Sequence, residues 1–287
     1  AGRTHGGCGG QCCGSPGGEG CLVGVVGVYA ARGVAAVVVV QFADYSGAAM
    51  RRLRNQAGRF RYRSDGEWSC PMVVRVPCGG YIHGGLCHSQ NIESIFGHTP
   101  GLKVALPSTA ADAKGLLATA IRSEDPVLFL EHKALYRAAS ARTPTPPEDY
   151  TLPFGKARIA REGSDMTIVT YGMMTQKSLN VAEELEQEGV DVEVVDLRTI
   201  VPLDSETILE SVRKTNRALV VYEDHEFIGF GAELSAQIAD DAFTYLDAPI
   251  RRVAGEFTPI PFAHSLERSV LPSDEGILEA ARDLAAF

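Results

Sequence analysis

The sequence has few basic residues for its length. Its 287 residues include 27 lysines and arginines against 36 aspartates and glutamates, which gives a formal net charge of -9. A surface that binds nucleic-acid phosphates needs the opposite excess, so nucleic acid is not expected as a partner. The hydrophobic fraction of 45% and the charged fraction of 22% are those of a soluble globular protein rather than of a disordered chain.

The sequence also lacks an uninterrupted apolar run long enough to span a membrane. Its longest strongly apolar stretch, residues 21–40, is interrupted by Arg32 and Gly33. In a membrane span this arginine would lie near the middle of the bilayer, which is energetically costly. We therefore interpret the stretch as a helix, a turn and a buried strand, and we expect no membrane partner.

The seven cysteines do not make an even set, and four of them, Cys8, Cys12, Cys13 and Cys21, are crowded at the start. An odd count argues against a complete disulfide framework and favours a reducing compartment, either the cytoplasm of a bacterium or a mitochondrial matrix. His5 with Cys8, Cys12 and Cys13 is an alternative metal site. It is not the preferred interpretation, because the paired C-x-x-C units of a zinc site are absent.

The chain opens without an initiator methionine or a signal sequence, so we expect that it starts inside a longer gene product or follows processing. Residues 1–17 form an atypical segment rich in glycine and cysteine. Because residues 1–20 show neither helical nor strand periodicity, they are predicted to be loop or disordered.

Beyond residue 20, short apolar strands alternate with helices. Residues 22–31 predict a helix buried on all sides that ends at Gly33, and residues 34–42 predict a strand covered on both faces. Further strands are predicted at 72–76, 103–106, 127–131, 166–171, 190–196, 218–223 and 250–253, and further helices at 110–122, 176–188, 205–214 and 232–243. This alternation predicts an α/β fold with two doubly wound domains.

The domain boundaries follow from where this alternation stops. Residues 138–152 lose hydrophobic periodicity and gain three prolines, so they are interpreted as a linker between domains at 18–137 and 153–287. The N-terminal part of the first domain is expected to be incomplete. Gly229-Phe230-Gly231 is similar to part of a dinucleotide-binding loop, but Leu234 stands in place of the third glycine, so nucleotide binding is not preferred.

Several longer motifs carry a family resemblance. They lie at residues 87–90 (CHSQ), 97–104 (GHTPGLKV), 112–117 (DAKGLL), 125–131, 196–204, 229–233 and 258–261 (TPIP). In wording and in spacing they resemble the β subunits of thiamine-diphosphate-dependent 2-oxo acid dehydrogenases, which include the pyruvate and branched-chain enzymes. The resemblance covers residues 18 to 287.

The resemblance implies a transketolase-like pyrimidine-binding domain followed by a transketolase C-terminal-like domain. It also implies an α2β2 heterotetramer in which thiamine diphosphate lies between subunits. The α subunit then holds the diphosphate and Mg²⁺, and this chain receives the aminopyrimidine. The second domain serves subunit contacts and docking of a lipoyl acyltransferase core.

Three residues match the family's motifs for the active site. Glu19 corresponds to the glutamate that holds the aminopyrimidine in the form needed for catalysis. Tyr45 corresponds to an aromatic residue that stacks on the pyrimidine ring. His88 corresponds to a histidine that binds the substrate carboxylate and exchanges protons during acyl transfer to lipoamide. Read without the resemblance, each is an ordinary loop or strand-end residue.

The resemblance also implies a potassium site, because the family often binds such an ion through backbone carbonyls, which are hard oxygen ligands. The matching residues are Met72, Ala120, Ile121, Ser123 and Asp125. Ser123 replaces a common aspartate, so this site depends on the Ser123 carbonyl rather than on its side chain.

The expected activity is oxidative decarboxylation of a small 2-oxo acid with transfer of the acyl group to lipoamide, in complex with the α subunit. Two alternatives stay open. One is an acetoin-type or transketolase-like thiamine enzyme subunit that uses the same half-site, meaning the part of the active site that this chain contributes. The other is a noncatalytic interaction subunit of the same fold, which the unfamiliar segment before Glu19 would favour.

Overall fold

The structure is a computed structural model that describes residues 4–7, 10–13 and 18–287, with side chains from residue 18 onward. Its strands are β1 (Thr4–Gly7), β2 (Gly10–Cys13), β3 (Ala36–Val39), β4 (Met72–Cys78), β5 (Lys103–Ala105), β6 (Val127–His132), β7 (Arg158–Arg161), β8 (Met166–Thr170), β9 (Val192–Asp196), β10 (Thr199–Val201), β11 (Ala218–His225) and β12 (Arg251–Gly255). Its helices are α1 (Glu19–Ala30), α2 (Gly47–Asn55), α3 (Phe60–Arg63), α4 (Glu93–Gly97), α5 (Ala110–Arg122), α6 (Met173–Gln187), α7 (Ser205–Thr215), α8 (Phe230–Ala242), α9 (His264–Val270) and α10 (Asp274–Ala285).

Four strands of the first half of the chain and β10 of the second form a five-stranded sheet in the order β10-β5-β6-β4-β3. Strands β3, β4, β5 and β6 are parallel, and β10 reaches over from the second half to pair antiparallel with β5. Parallel strands with long crossovers need cover on both faces, and β4 and β6 are accordingly almost fully buried. The carboxyl ends of the four parallel strands therefore meet at one edge of the sheet.

The second half forms another five-stranded sheet, in the order β12-β11-β8-β9-β7, with β7 as an antiparallel edge strand. From β8 the chain moves first to β9 on one side and then to β11 on the other, which is a doubly wound arrangement. The prediction of an α/β fold with two doubly wound domains is thus confirmed. One apolar core continues from the first domain into the second, since Val104 and Leu106 belong to the same buried cluster as Val169 and Tyr171.

Two predictions about burial were wrong. Helix α1 was expected to be buried on all sides, but Val25, Val28 and Tyr29 are 52%, 66% and 52% exposed. The strand after it was expected to be covered on both faces, but β3 is an edge strand whose Val37 and Val39 side chains are about half exposed. An apolar segment has the same composition whether its own chain or another protein chain covers it. The sequence therefore does not show which of the two covers this segment.

The expectation of loop or disorder over residues 1–20 was also wrong in part. The strands β1 and β2 pair antiparallel, with Gly7 opposite Gly10, and α1 begins at Glu19. Glycine hides the alternation of side chains by which a strand is recognised in a sequence. The alternative metal site at His5, Cys8, Cys12 and Cys13 lies outside the side chains that the structure describes.

Residues 138–157 contain neither helix nor strand and run along α5. The Lys114 ammonium donates to the carbonyls of Pro146 and Pro147, and the Leu152 amide donates to the Gly115 carbonyl. We keep 138–152 as the proposed linker, with the domains at 18–137 and 153–287. Among the described residues, no helix is both long and apolar enough to cross a membrane.

Candidate active site

Three aromatic rings meet at the carboxyl edge of the first sheet. Phe42 and Tyr45 follow β3, and His88 lies in the loop that follows β4. The Tyr45 hydroxyl is 3.1 Å from His88 Nε2, and the Phe42 and His88 ring centroids are 4.4 Å apart at an interplanar angle of 81°. This edge-to-face packing favours a fixed orientation of the imidazole. The structure therefore brings together Tyr45 and His88, two of the residues that the family resemblance assigns to the active site.

Glu19 is the first residue of α1, and its neighbour Gly20 packs this end of the helix against the start of α2. A Cβ added to Gly20 would lie 2.7 Å from the carbonyl oxygen of Ala48, so only glycine permits this close approach of α1 to α2. Ala48 comes three residues after Tyr45. Glu19 is the acidic residue in the first turn of α1.

Two residues with buried polar atoms, which the sequence did not reveal, lie at the same edge. Both carboxylate oxygens of Asp44 and the ammonium of Lys133 are buried without a hydrogen-bond partner among the described residues. The Lys133 ammonium lies 5.6 Å from the Phe42 ring centroid, and burial lowers the pKa of this lysine. Buried polar groups normally find partners, so such groups beside a cluster of half-exposed rings mark a place where a ligand fits.

Asp44 and Lys133 gave only a weak sequence signal. Asp44 stands between Phe42 and Tyr45, and Lys133 directly follows β6. Residues at the carboxyl ends of parallel strands are where α/β proteins bind ligands, and this rule alone would have pointed to both.

The residues expected to bind potassium lie around the end of α5. Ser123 is the C-cap of this helix, Ala120 and Ile121 lie in its last turn, and Met72 begins β4. The Asp125 carbonyl accepts a hydrogen bond from the Ser123 hydroxyl at 3.1 Å. The potassium site stays a proposal. Among the described side chains, no group of three or more histidine, cysteine, aspartate or glutamate residues could hold a metal ion.

Two cationic side chains flank this turn. The Asp125 carboxylate is 2.6 Å from Arg61 Nε and 3.4 Å from Lys103 Nζ, and Lys103 also donates to the Ser123 hydroxyl. Burial alone would raise the pKa of Asp125, but the hydrogen bond from Arg61 and the charge of Lys103 lower it below its ordinary value. Asp125 is thereby held as a carboxylate between two cations.

The first domain contacts the second domain at the carboxyl ends of β8 and β11. In doubly wound sheets ligands bind where the strand order reverses, which here is between the carboxyl ends of β8 and β11. Tyr171 follows β8 and donates to buried Glu93 at 3.1 Å, while Glu223 on β11 lies 2.5 Å from His132 Nε2. At this switch point the second domain therefore contacts the first domain through Tyr171 and Glu223.

The glycines at 229 and 231 serve packing. Side-chain atoms added there would overlap the His225 carbonyl and the Tyr222 ring, respectively. Both glycines therefore permit close packing of the start of α8 against β11.

Comparison with known proteins shows which family the chain belongs to. Residues 10–139 match the model of the transketolase pyrimidine-binding domain, and residues 155–277 match that of the transketolase C-terminal domain. The 2-oxoisovalerate dehydrogenase subunit beta of Bacillus subtilis is 46% identical over 264 residues, which are 91% of this chain and 80% of that protein. The chain belongs to the family of thiamine-dependent 2-oxo acid dehydrogenase β subunits.

Other members of this family are similarly close. The pyruvate dehydrogenase E1 component subunit beta of Bacillus subtilis is 45% identical over 89% of this chain and 78% of its own length, and that of Staphylococcus aureus is 44% identical over 90% and 78%. A solved structure described as a split gene transketolase, inactive beta4 tetramer, superimposes with a TM-score of 0.74 over 93% of this chain and 81% of that one. Its sequence identity of 23% supports the fold alone.

The residues of this β subunit fit the cofactor of its family. The site offers aromatic rings for a flat heterocycle and the carboxylate of Glu19 at a helix start. It also offers polar groups on Asp44 and Lys133 that have no hydrogen-bond partner among the described residues. A pyrimidine has an apolar face and hydrogen-bonding ring nitrogens, so this combination suits it.

Proposed function

We propose that this chain is the β subunit of the decarboxylating component of a 2-oxo acid dehydrogenase complex, active only with an α subunit. The observation that carries the proposal is the contact between Tyr45 and His88 at the carboxyl ends of the first sheet's strands, in a chain of this family. The reaction is decarboxylation of a small 2-oxo acid and transfer of the acyl group to lipoamide on an acyltransferase core.

Each residue of the half-site has a distinct task. Thiamine diphosphate, when bound, supplies the carbanion chemistry that carbon–carbon cleavage requires. Glu19 holds a proton at the pyrimidine ring nitrogen, and Tyr45 with Phe42 orients the ring. His88 binds the substrate carboxylate and moves a proton during acyl transfer. Mg²⁺ and the diphosphate belong to the α subunit.

An exposed apolar surface on α1 supports the need for a second subunit. Val25, Val28 and Tyr29 are each more than half exposed on α1, the helix that begins at Glu19. Adjacent exposed apolar side chains are typical of protein interfaces rather than of free surfaces. We infer that the α subunit covers this face in an α2β2 tetramer, so that one active site is completed by two chains.

Coexpression with the α chain tests the proposal. With thiamine diphosphate and Mg²⁺ present, the wild-type complex is expected to decarboxylate 2-oxo acids, and Glu19→Gln is expected to lose most of this activity. Glu67→Gln is the matched control, because Glu67 is an exposed glutamate of the same domain and should leave activity unchanged. Equal activity of wild type and Glu19→Gln would contradict the role of Glu19.

The same experiment separates the alternatives. A complex that forms but is inactive in all variants would favour a noncatalytic interaction subunit. Activity toward sugar phosphates or acetoin rather than 2-oxo acids would favour the transketolase-like or acetoin-type enzymes. Acyl transfer is measured separately with lipoamide as the acceptor.

A further inference from the structure

The loop that carries His88 has an unusual backbone. In the first seven residues after β4, Gly79, Tyr81, His83 and Gly85 have φ values of 85°, 61°, 57° and 62°. Glycine adopts such angles readily, but tyrosine and histidine do so at a conformational cost. Residues other than glycine keep this left-handed backbone conformation only where the surrounding structure holds them in it. Residues 79–91, here called the His88 loop, therefore need external support.

The second domain supplies that support. The Gly80 amide donates to Glu223 at 2.6 Å, and the Tyr81 hydroxyl donates to the Pro272 carbonyl at 2.7 Å. Each of these contacts joins the His88 loop to a residue more than 140 positions further along the chain. A Cβ on Gly80 would lie 2.5 Å from Leu271, so the loop is also in close van der Waals contact with this domain.

Glu267 on α9 makes the most direct contact with a strained residue. It accepts the His83 amide at 3.2 Å, and its other oxygen lies 2.7 Å from His83 Nδ1. The ring of His264, at the start of α9, lies against the His83 ring. Glu267 is 1% exposed, so its carboxylate is withdrawn from water.

The strained segment touches His88 itself. A Cβ on Gly84 would lie 2.8 Å from both the Cβ and the carbonyl oxygen of His88, and 2.9 Å from the Ser89 hydroxyl. The Gly79 amide donates to the Gln90 carbonyl at 3.1 Å and closes the base of the loop. A shift of the backbone at His83 therefore moves the residue that packs on His88.

We propose that Glu267 is a positioning residue for His88: by holding His83 in the left-handed conformation, it fixes Gly84 against His88 and keeps the imidazole at Tyr45. The second domain thus acts on the half-site through the His88 loop, without a residue of its own in the site. The proposal rests on the proposed function for the catalytic meaning of His88, but the position of His88 can be measured independently.

Chemical labelling of His88 in the full chain gives this independent measurement. Diethyl pyrocarbonate modifies accessible neutral imidazoles, and mass spectrometry of peptides reports the rate at each histidine. In wild type the imidazole is half-buried, packed on Phe42 and hydrogen-bonded to Tyr45, so labelling should be slow. Glu267→Ala is expected to raise the His88 rate about three-fold or more through local opening of the loop. Exposed His98 in the same domain is the internal reference.

Glu193→Gln is the matched control variant. Glu193 is also 1% exposed and paired to a cation, Lys214, but it lies in β9, outside the His88 loop. It should leave the His88 rate unchanged even if it lowers stability. An unchanged His88 rate in folded Glu267→Ala, or an equal increase in Glu193→Gln, would overturn the proposal.

A second pair of variants keeps the test decisive if Glu267→Ala does not fold. His83→Gly relieves the strain, because glycine adopts a positive φ freely. Glu267→Gln should speed His88 labelling in the wild-type background and have a smaller effect in the His83→Gly background. An equal effect in both backgrounds would show that Glu267 does not act through the conformation of residue 83.

The activity of the complex reconstituted with the α subunit tests whether the position of His88 matters for catalysis. Glu267→Gln is expected to lower kcat/KM for the 2-oxo acid several-fold and to leave the affinity for thiamine diphosphate unchanged, because His88 is moved and Glu19 is not. An unchanged kcat/KM together with a raised labelling rate would overturn the catalytic part. An inactive wild-type complex with altered labelling would contradict the proposed function and leave the positioning role supported.

Discussion

The Tyr45 hydroxyl lies 3.1 Å from His88 Nε2, although 43 positions separate the two residues in the chain. This hydrogen bond joins the loops that follow β3 and β4 and sets the direction of the imidazole. Because the orientation of His88 depends on it, the hydroxyl and the ring of Tyr45 should contribute separately to activity.

Replacement of Tyr45 by phenylalanine removes the hydroxyl and keeps the ring. A neutral hydrogen bond contributes about 1 kcal/mol, so kcat/KM should fall roughly five-fold while affinity for thiamine diphosphate is retained. Tyr45→Ala also removes the ring and should weaken cofactor affinity in addition. Steady-state kinetics and cofactor titration of the reconstituted complex measure both effects. Tyr62→Phe is the control, since Tyr62 is 93% exposed; a matching loss in that variant would contradict the assignment.

Two glycines of α1 should respond in opposite directions to alanine. At Gly20 the new methyl group would lie 2.7 Å from the Ala48 carbonyl, so α1 must move away from α2 and carry Glu19 with it. At Gly27 nothing lies within 4 Å. Thermal unfolding of the chain alone should show a loss of stability for Gly20→Ala and a gain of up to about 1 kcal/mol for Gly27→Ala.

The same pair tests the position of Glu19. If Glu19 contacts the cofactor, Gly20→Ala should weaken binding of thiamine diphosphate to the complex by more than its loss of stability explains. Unaltered binding of thiamine diphosphate by a Gly20→Ala complex that assembles normally would show that α1 does not contribute to the cofactor site.

The regular elements could largely be predicted from the sequence because their signals are local. The helix predicted at 110–122 has the observed bounds of α5, where Thr109 accepts the Asp112 amide as N-cap. The antiparallel strand β10 was missed, because its pairing with β5 depends on how the second half folds back on the first. The exposure of Val25 and Val28 was missed because apolar composition does not show whether the same chain or another protein chain covers a surface.

The site could be predicted only where a motif carried it. Glu19, Tyr45 and His88 followed from the family resemblance, whereas Asp44 and Lys133 become recognisable once the ends of β3 and β6 lie at one edge of the sheet. Glu267 shows no signal at all in the sequence. It lies 184 positions from His83, and only the tertiary fold makes them neighbours.

Potassium binding at the turn after α5 can be tested by thermal unfolding. A bound ion stabilises the folded chain by RT ln(1 + [K⁺]/Kd), which is about 1.4 kcal/mol at ten times Kd. The unfolding midpoint should therefore be higher in KCl than in NaCl at equal ionic strength. Ser123→Ala should keep the difference, because the Ser123 carbonyl is the expected ligand. Equal unfolding midpoints in KCl and NaCl would contradict the proposed potassium site.

Glu93 should make stability fall as the pH rises. Burial and the charge of Asp224 raise the pKa of Glu93 well above its ordinary value of 4.5. Between 4.5 and the raised pKa, the folded chain keeps the proton that the unfolded chain has lost, so a higher pH favours unfolding. Each tenfold difference in proton affinity corresponds to about 1.4 kcal/mol.

Glu93→Gln removes this ionisation and should therefore become more stable relative to wild type as the pH rises above 4.5. Glu193→Gln is a control with the opposite sign. Burial alone would raise the pKa of Glu193, but hydrogen bonds from Lys214, Ser211 and the Gly163 amide lower it. Glu193 therefore stabilises the fold above pH 4.5, and its contribution is lost as the pH falls through its lowered pKa. Unfolding midpoints of wild type and both variants, measured from below to above pH 4.5, test both assignments. A Glu93→Gln variant that gained no stability relative to wild type as the pH rose above 4.5 would contradict the assignment of Glu93.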